Sequence, residues 1–212
     1  MKPFIILIGG GTGSGKTTLV KAIVNKLEKL KHKSVLQISL DHYYKDLSHL
    51  PAKEREKQNF DHPEAIDWKL LKEHLTKLKN NEEVKMPLYS FVTHTRKGYK
   101  KIKPRKVIIL EGIFALYDKE INEMANLRLF VDTEPDIRLI RRLQRDVKER
   151  KRTMQSVIKQ WISTVKPMHE AFIEPTKKNA HIIIPEDPEG KMREKAIELI
   201  ITKIEKVLRS KK

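Results

Sequence analysis

Phe4-Ile5-Ile6-Leu7-Ile8-Gly9-Gly10-Gly11-Thr12-Gly13-Ser14-Gly15-Lys16-Thr17-Thr18 decides the fold of this chain. Its opening apolar run, unbroken by polar residues, is the pattern of a strand buried on both faces. Gly10, four residues, then Gly15, Lys16 and Thr17 give the spacing of a phosphate-binding loop between a strand and a helix. Glycines let the backbone curl until its N–H groups converge on phosphate oxygens. Lys16 opens the following helix, whose positive end faces the same anion, and the Thr17 hydroxyl is offered to Mg²⁺. The loop residues Gly10, Gly11, Thr12, Gly13, Ser14, Gly15, Lys16, Thr17 and Thr18 are therefore expected to bind a nucleoside triphosphate, with Lys16 also catalytic.

Outward from the loop, strand and helix signals alternate. Helices are expected at Lys16 to Leu30, Asp67 to Leu78, Ile137 to Val147, Met154 to Val165 and Lys191 to Leu208. Strands are expected at Val35 to Ser39, Val107 to Leu110, Leu127 to Val131 and His181 to Ile184. Strands separated by helices imply an α/β fold, a five-stranded parallel sheet with helices on both faces. Between Asn80 and Arg105 the rhythm breaks into two short strand signals, read as a small β-hairpin insert.

With 212 residues the chain suffices for one domain, spanning 1–212, with the insert at about 80–105 and a helical lid at about 145–165. It has no cysteine, which excludes disulfides and thiolate chemistry. The apolar N-terminal run is too short for a signal peptide, no stretch reaches membrane-spanning length, and the cytoplasm is the expected compartment. A net charge of +17 is spread along the chain and mixed with Glu. That distribution fits the gathering of small polyanions better than a nucleic-acid surface.

In an open parallel sheet, ligands bind beyond the carboxyl ends of the strands. Asp41, Glu111 and Asp132 stand there. Asp41 and Glu111 follow strands expected beside the loop, and with Thr17 they offer oxygen ligands to Mg²⁺. Asp41 is also placed to take a proton from an attacking hydroxyl. Asp132 is read as a turn residue. Arg138 and Arg141 are read as a solvated helix face. Arg145, Arg150 and Arg152 fall at a helix end and in the break after it. They are open to two readings, a solvated surface or a lid that brings guanidinium groups onto a transferring phosphoryl. Tyr44, Phe60, Asp61, His62, Tyr89, Phe91 and His94 cluster near the expected active end, although aromatics are only 6% of the chain. They suit stacking on a base and hydrogen bonding to a sugar, or alternatively an ordinary aromatic core with a capping Asp.

These segments together resemble the uridine/cytidine kinase family, within the phosphoribulokinase-like group of phosphate-loop kinases. The segments that carry the resemblance are Gly10–Thr18, Asp41-His-Tyr-Tyr-Lys45, Asn59-Phe-Asp-His-Pro63, Pro87-Leu-Tyr-Ser-Phe91, His94-Thr-Arg96 and Glu111-Gly-Ile113. Three more follow: Arg141-Arg-Leu-Gln-Arg-Asp146, Glu149-Arg-Lys-Arg152 and Val165-Lys-Pro167. The resemblance implies the P-loop kinase fold and transfer of the γ-phosphoryl of ATP or GTP to the 5′-hydroxyl of uridine or cytidine. It implies Asp41 as general base and a Mg²⁺ held by Thr17, Asp41 and Glu111. It further implies Asp61 and Arg142 at the ribose, and Tyr44, Phe60, Tyr89, Phe91, His94, Arg152 and Gln160 around the nucleoside. Arg145 and Arg150 act at the triphosphate from the lid, and the assembly is a homotetramer. Three positions depart from the family pattern: Lys151 where Gly is usual, Trp161 for a Tyr, and Glu186-Asp187 for an expected Arg-Gly. The alternatives are a related kinase of a phosphosugar or vitamin precursor, and a nucleotide-gated RNA-binding protein.

Overall fold

The opening apolar run forms β1 (Phe4–Gly9), the middle strand of a five-stranded sheet ordered β2-β5-β1-β6-β7 in the computed structural model. The structure describes residues 2–29, 34–187 and 189–209. β5 (Val107–Glu111) and β6 (Leu127–Asp132) flank β1, while β2 (Val35–Ser39) and β7 (Ile182–Pro185) are the edges. All four pairings are parallel, so the carboxyl ends of the strands share one rim. Register places Ile8 and Ser39 on either side of Glu111, which brings the loop, the Asp41 turn and Glu111 together.

Successive sheet residues face opposite sides, as the two-residue period of a strand requires. Ile5, Leu7, Ile38, Ile108 and Leu110 pack towards α3 (Trp68–Lys79) through Leu71, Leu75 and Leu78. Ile6, Ile8, Val107, Ile109 and Leu129 pack towards α1 (Lys16–Lys29) and α8 (Lys191–Arg209). Leu19, Ile23 and Leu27 of α1 are fully buried, each worth about 1.5–3 kcal/mol of apolar burial. Leu30, expected to complete that face, lies outside the described residues. Asp67 caps α3 by accepting from the backbone of Leu70.

The insert is an antiparallel pair, β3 (Val84–Ser90) with β4 (Thr95–Ile102), irregular between Pro87 and Tyr89. Arg96 fastens it to the body: its backbone N–H donates to Asp46, its Nε to the Tyr44 carbonyl, and its terminal nitrogen to Asp67. Short helices α2 (Ala52–Arg55) and α4 (Lys119–Met124) occupy connections.

α5 (Pro135–Lys148) is followed by α6 (Met154–Gln160). The helix expected to end at Val165 instead runs on through a wide π turn (Trp161–Val165), α7 (Lys166–Met168), a second π turn (His169–Ile173) and a tight 3₁₀ turn (Glu174–Asn179). Pro167 and Pro175 lack the N–H that regular α-helix needs. The widened and tightened turns absorb that loss without ending the run.

Candidate active site

Gly13 adopts φ +78°, and a Cβ there would meet the Arg138 carbonyl at 2.4 Å, so the loop lies flush on α5. Lys16 is buried, and its ammonium donates to the Gly11 carbonyl at 2.8 Å. Burial lowers its pKa to about 8 against the opposing attraction of Glu111 and Asp41. Arg138 is also buried against the loop, with Nε donating to the Thr133 carbonyl and its guanidinium 5.4 Å from the centre of the Trp161 ring. This corrects the solvated-face reading of Arg138. Arg141 keeps 37% of its side chain exposed, as a solvated face expects, and forms a bidentate pair with Glu186 at 2.8 and 2.9 Å. The helix is rich in arginine because one face of it supports the loop. Asp132 is the last residue of β6, in register with Pro185, rather than a turn residue, and it pairs with Lys177.

Asp41 sits in the 3₁₀ turn Leu40–Tyr43, where its backbone N–H donates to Ser39. Burial raises its pKa, while Lys16, Arg150 and Arg145 pull it back down. Glu111 is buried at the end of β5. Its pKa is raised first by burial, and the negative charge of Asp41 raises it further against the attraction of Lys16. The Thr17 hydroxyl lies 3.5 Å from Glu111. Two repelling carboxylates beside a hydroxyl fit a hard divalent cation, which would relieve their repulsion. They leave coordination positions for phosphate and water, as Mg²⁺ prefers.

Across the rim, Tyr44 is buried and its hydroxyl donates to the Phe60 carbonyl at 3.1 Å. Its ring meets Phe60, Tyr89 and Phe91 at centroid distances of 5.8, 5.1 and 6.1 Å. His94 stacks on Phe60 at 4.3 Å and its Nδ1 lies 3.3 Å from the Tyr89 hydroxyl. The hairpin thus supplies half of an aromatic cage. His62 is not part of it; its ring packs on Phe172 at 4.7 Å. Asp61 is buried, accepts from the Thr164 hydroxyl at 3.2 Å, and has its pKa raised by burial against the attraction of Arg142.

Arg142 joins the halves, donating to Thr12 of the loop at 3.2 Å and to the Gln160 side-chain carbonyl at 2.9 Å. Arg152 donates to the same Gln160 oxygen. Arg145, Arg150, Arg142 and Arg152 converge on Asp146, which has no exposed surface. Arg150 and Arg152 thus pair with a buried carboxylate while about a third of each side chain stays open to solvent, 32% and 29%. The guanidinium of Arg150 also stands 4.5 Å from the Phe91 ring centre. Asp146 carries no mark in the sequence beyond its place in the Arg141–Asp146 segment. The i,i+4 spacing of Arg142 and Asp146 is the signal that points to it. Of the departures, Lys151 takes φ +53°, the left-handed conformation for which Gly is suited. Glu186 binds Arg193 as well as Arg141.

A model of the Phosphoribulokinase / Uridine kinase family matches residues 5–193. The chain is 50% identical over 208 residues to the uridine kinase of Anoxybacillus flavithermus, covering 98% of this chain and 96% of that protein. It is 49% identical over 211 residues to the uridine kinase of Bacillus cereus (strain B4264), covering 99% and 97%. Among solved structures, the phosphoribulokinase of Rhodobacter spheroides superposes with TM-score 0.65 at 15% identity, covering 87% of this chain and 70% of that one. The D-glycerate 3-kinase of Cryptococcus neoformans superposes with TM-score 0.64 at 17% identity, covering 87% and 86%. These two likenesses show a shared P-loop kinase fold. Matched over most of its length by the family model and half-identical end to end to uridine kinases, the chain belongs to the phosphoribulokinase/uridine kinase family.

Proposed function

We propose that the protein transfers the γ-phosphoryl of ATP or GTP to the 5′-hydroxyl of uridine or cytidine. The observation that carries this reading is the cage of Tyr44, Phe60, Tyr89, Phe91 and His94, set beside Asp41 and the buried Asp61. An aromatic cluster with one buried carboxylate suits the base and the sugar hydroxyls of an uncharged nucleoside. The relatives named uridine kinase support the same choice.

Asp41 orients the 5′-hydroxyl and accepts its proton. Its raised pKa makes it a better base than an exposed Asp. Asp61, braced by Thr164, accepts from the ribose hydroxyls, and Arg142 approaches the same sugar. The stacked pair of Phe60 and His94 forms one wall of the base site, with Arg152 and Gln160 closing the pocket. Lys16 and the loop backbone hold the triphosphate. Arg145 and Arg150 meet the charge spread over the transferring phosphoryl and exclude water from it. Mg²⁺, held by Thr17, Asp41 and Glu111, would neutralise phosphate charge when bound. The family resemblance further supports a homotetramer in the cytoplasm, the former checked by the mass of the assembly in solution.

The test is a panel of nucleosides, phosphosugars and small alcohols in an assay coupled to nucleoside diphosphate release, read as kcat/KM. Uridine and cytidine are expected to exceed every phosphorylated acceptor by orders of magnitude. A phosphosugar at the head of the panel, or release driven by RNA and indifferent to uridine, overturns the reading.

A further inference from the structure

Asp146 has no exposed surface, yet it is the shared counter-ion of four arginines from both halves of the site. Arg145 contacts its Oδ1 twice, through Nε at 2.9 Å and through a terminal nitrogen at 2.8 Å. Arg150 stands 3.5 Å from the same oxygen. Arg142 and Arg152 stand 3.5 and 3.6 Å from Oδ2, which has no hydrogen-bond partner among the described residues. One side of the carboxylate is therefore locked to Arg145. The other three guanidinium groups meet the carboxylate by charge alone; Arg142 and Arg152 take their aim from hydrogen bonds to Gln160 instead.

The four arginines reach different parts of the site. Arg145 and Arg150 are charges that act on Asp41, and Arg150 covers Phe91 of the cage. Arg142 spans from Thr12 of the loop to Gln160, and Gln160 also receives Arg152. The Thr164 hydroxyl contacts both Asp61 and the Gln160 carbonyl. One buried anion among four cations leaves an excess of positive charge, and like charges this close repel. Without Asp146 the guanidinium groups would part; with it they stay gathered, Arg142 and Arg152 aimed by their bonds to Gln160.

We propose that Asp146 is a positioning residue for phosphoryl transfer: its buried carboxylate gathers Arg145 and Arg150 of the donor side with Arg142 and Arg152 of the acceptor side. It touches neither substrate and acts through these arginines. The inference rests on the roles given to them under the proposed function.

The test compares Asp146→Asn and Asp146→Glu with the parent, with folded fraction and Tm measured for each. Asp146→Asn keeps the shape and removes the charge. Its kcat per folded molecule is expected to fall about 10²-fold, the usual cost of misplacing catalytic groups by an ångström. The KM values for donor and acceptor should both rise, and inorganic sulfate should compete more strongly with the donor, because the cations have lost their internal partner. Asp146→Glu keeps the charge but shifts it by one methylene, so it still neutralises the arginine cluster and gives a second readout should Asp146→Asn lower the folded fraction. Its kcat should fall about ten-fold at near-parental Tm. The idea is overturned if Asp146→Asn loses activity only in proportion to its folded fraction, with KM values and sulfate inhibition unchanged. Parental kinetics in Asp146→Glu would overturn it equally. The parent's own preference for uridine tests the functional reading separately, since the variant-to-parent ratios hold for whichever acceptor the parent uses.

Discussion

Lys16 shows how the site is tuned at the level of one residue. Burial pushes its pKa down to about 8, so its ammonium is fully charged well below that pH and lost above it. The KM for the triphosphate is therefore expected to rise as the pH climbs through about 8, with the acceptor KM changing less; a flat donor KM from pH 7 to 9 would contradict this. Asp41 is a second case. Asp41→Asn preserves shape but removes the base, so turnover should fall about 10²–10⁴-fold, with donor affinity by calorimetry little changed. Lys151 is a third. A side chain at φ +53° carries strain that Gly would not, and a β-branched residue would carry more. Lys151→Gly should be at least as stable as the parent in urea unfolding, and Lys151→Val less stable by about 1–2 kcal/mol.

At the level of elements, the turn that carries Asp41 is held in place by β5. A Cβ on Gly112 would meet the Leu40 Cβ at 2.4 Å, and Leu40 opens that turn. Gly112→Ala should thus push the turn outwards. The expected cost is about 1–3 kcal/mol of overpacking and a loss of about 10²-fold in kcat. Equal kcat in folded Gly112→Ala would show that Asp41 does not depend on this contact. The same level explains what the sequence reveals. β1, the loop and α1 are legible because an apolar run, fixed glycine spacing and a helical face are all local signals. The run from Met154 to Asn179 is legible only in its first turns, because Pro167 and Pro175 read as helix stops, and the π and 3₁₀ turns that carry the chain past them leave no 3.6-residue apolar period. Arg138 misleads for another reason: only tertiary contact shows that Gly11 and Gly13 leave room for it. The acceptor residues were legible through their resemblance to a family rather than by spacing, since Phe60 and His94 meet only when the hairpin folds back.

Across the whole molecule, two apolar layers clamp the sheet and leave its carboxyl rim for charge. The helical run after α6 is braced internally by His169, which is buried with Nε2 3.3 Å from Glu174 and feels the charge of Arg138. Burial first, and then the charge of Arg138, hold its pKa well below the usual histidine value, against the attraction of Glu174. The unfolded chain therefore takes up a proton that the folded one refuses. Its contribution is fully present above about pH 6.5 and is lost as the pH falls towards the depressed folded value. His169→Gln should flatten the fall of urea-measured stability between pH 6.5 and 5; an unchanged slope would contradict it. The central claim concerns what the cage and the loop do together: phosphorylate a nucleoside. Incubation with uridine, Mg²⁺ and ATP or GTP, followed by ³¹P NMR and mass spectrometry of the products, tests it most directly. Uridine 5′-monophosphate equal in amount to the nucleoside diphosphate released is the predicted result. Diphosphate released without any phosphorylated uridine, or phosphate placed on another hydroxyl, would contradict it.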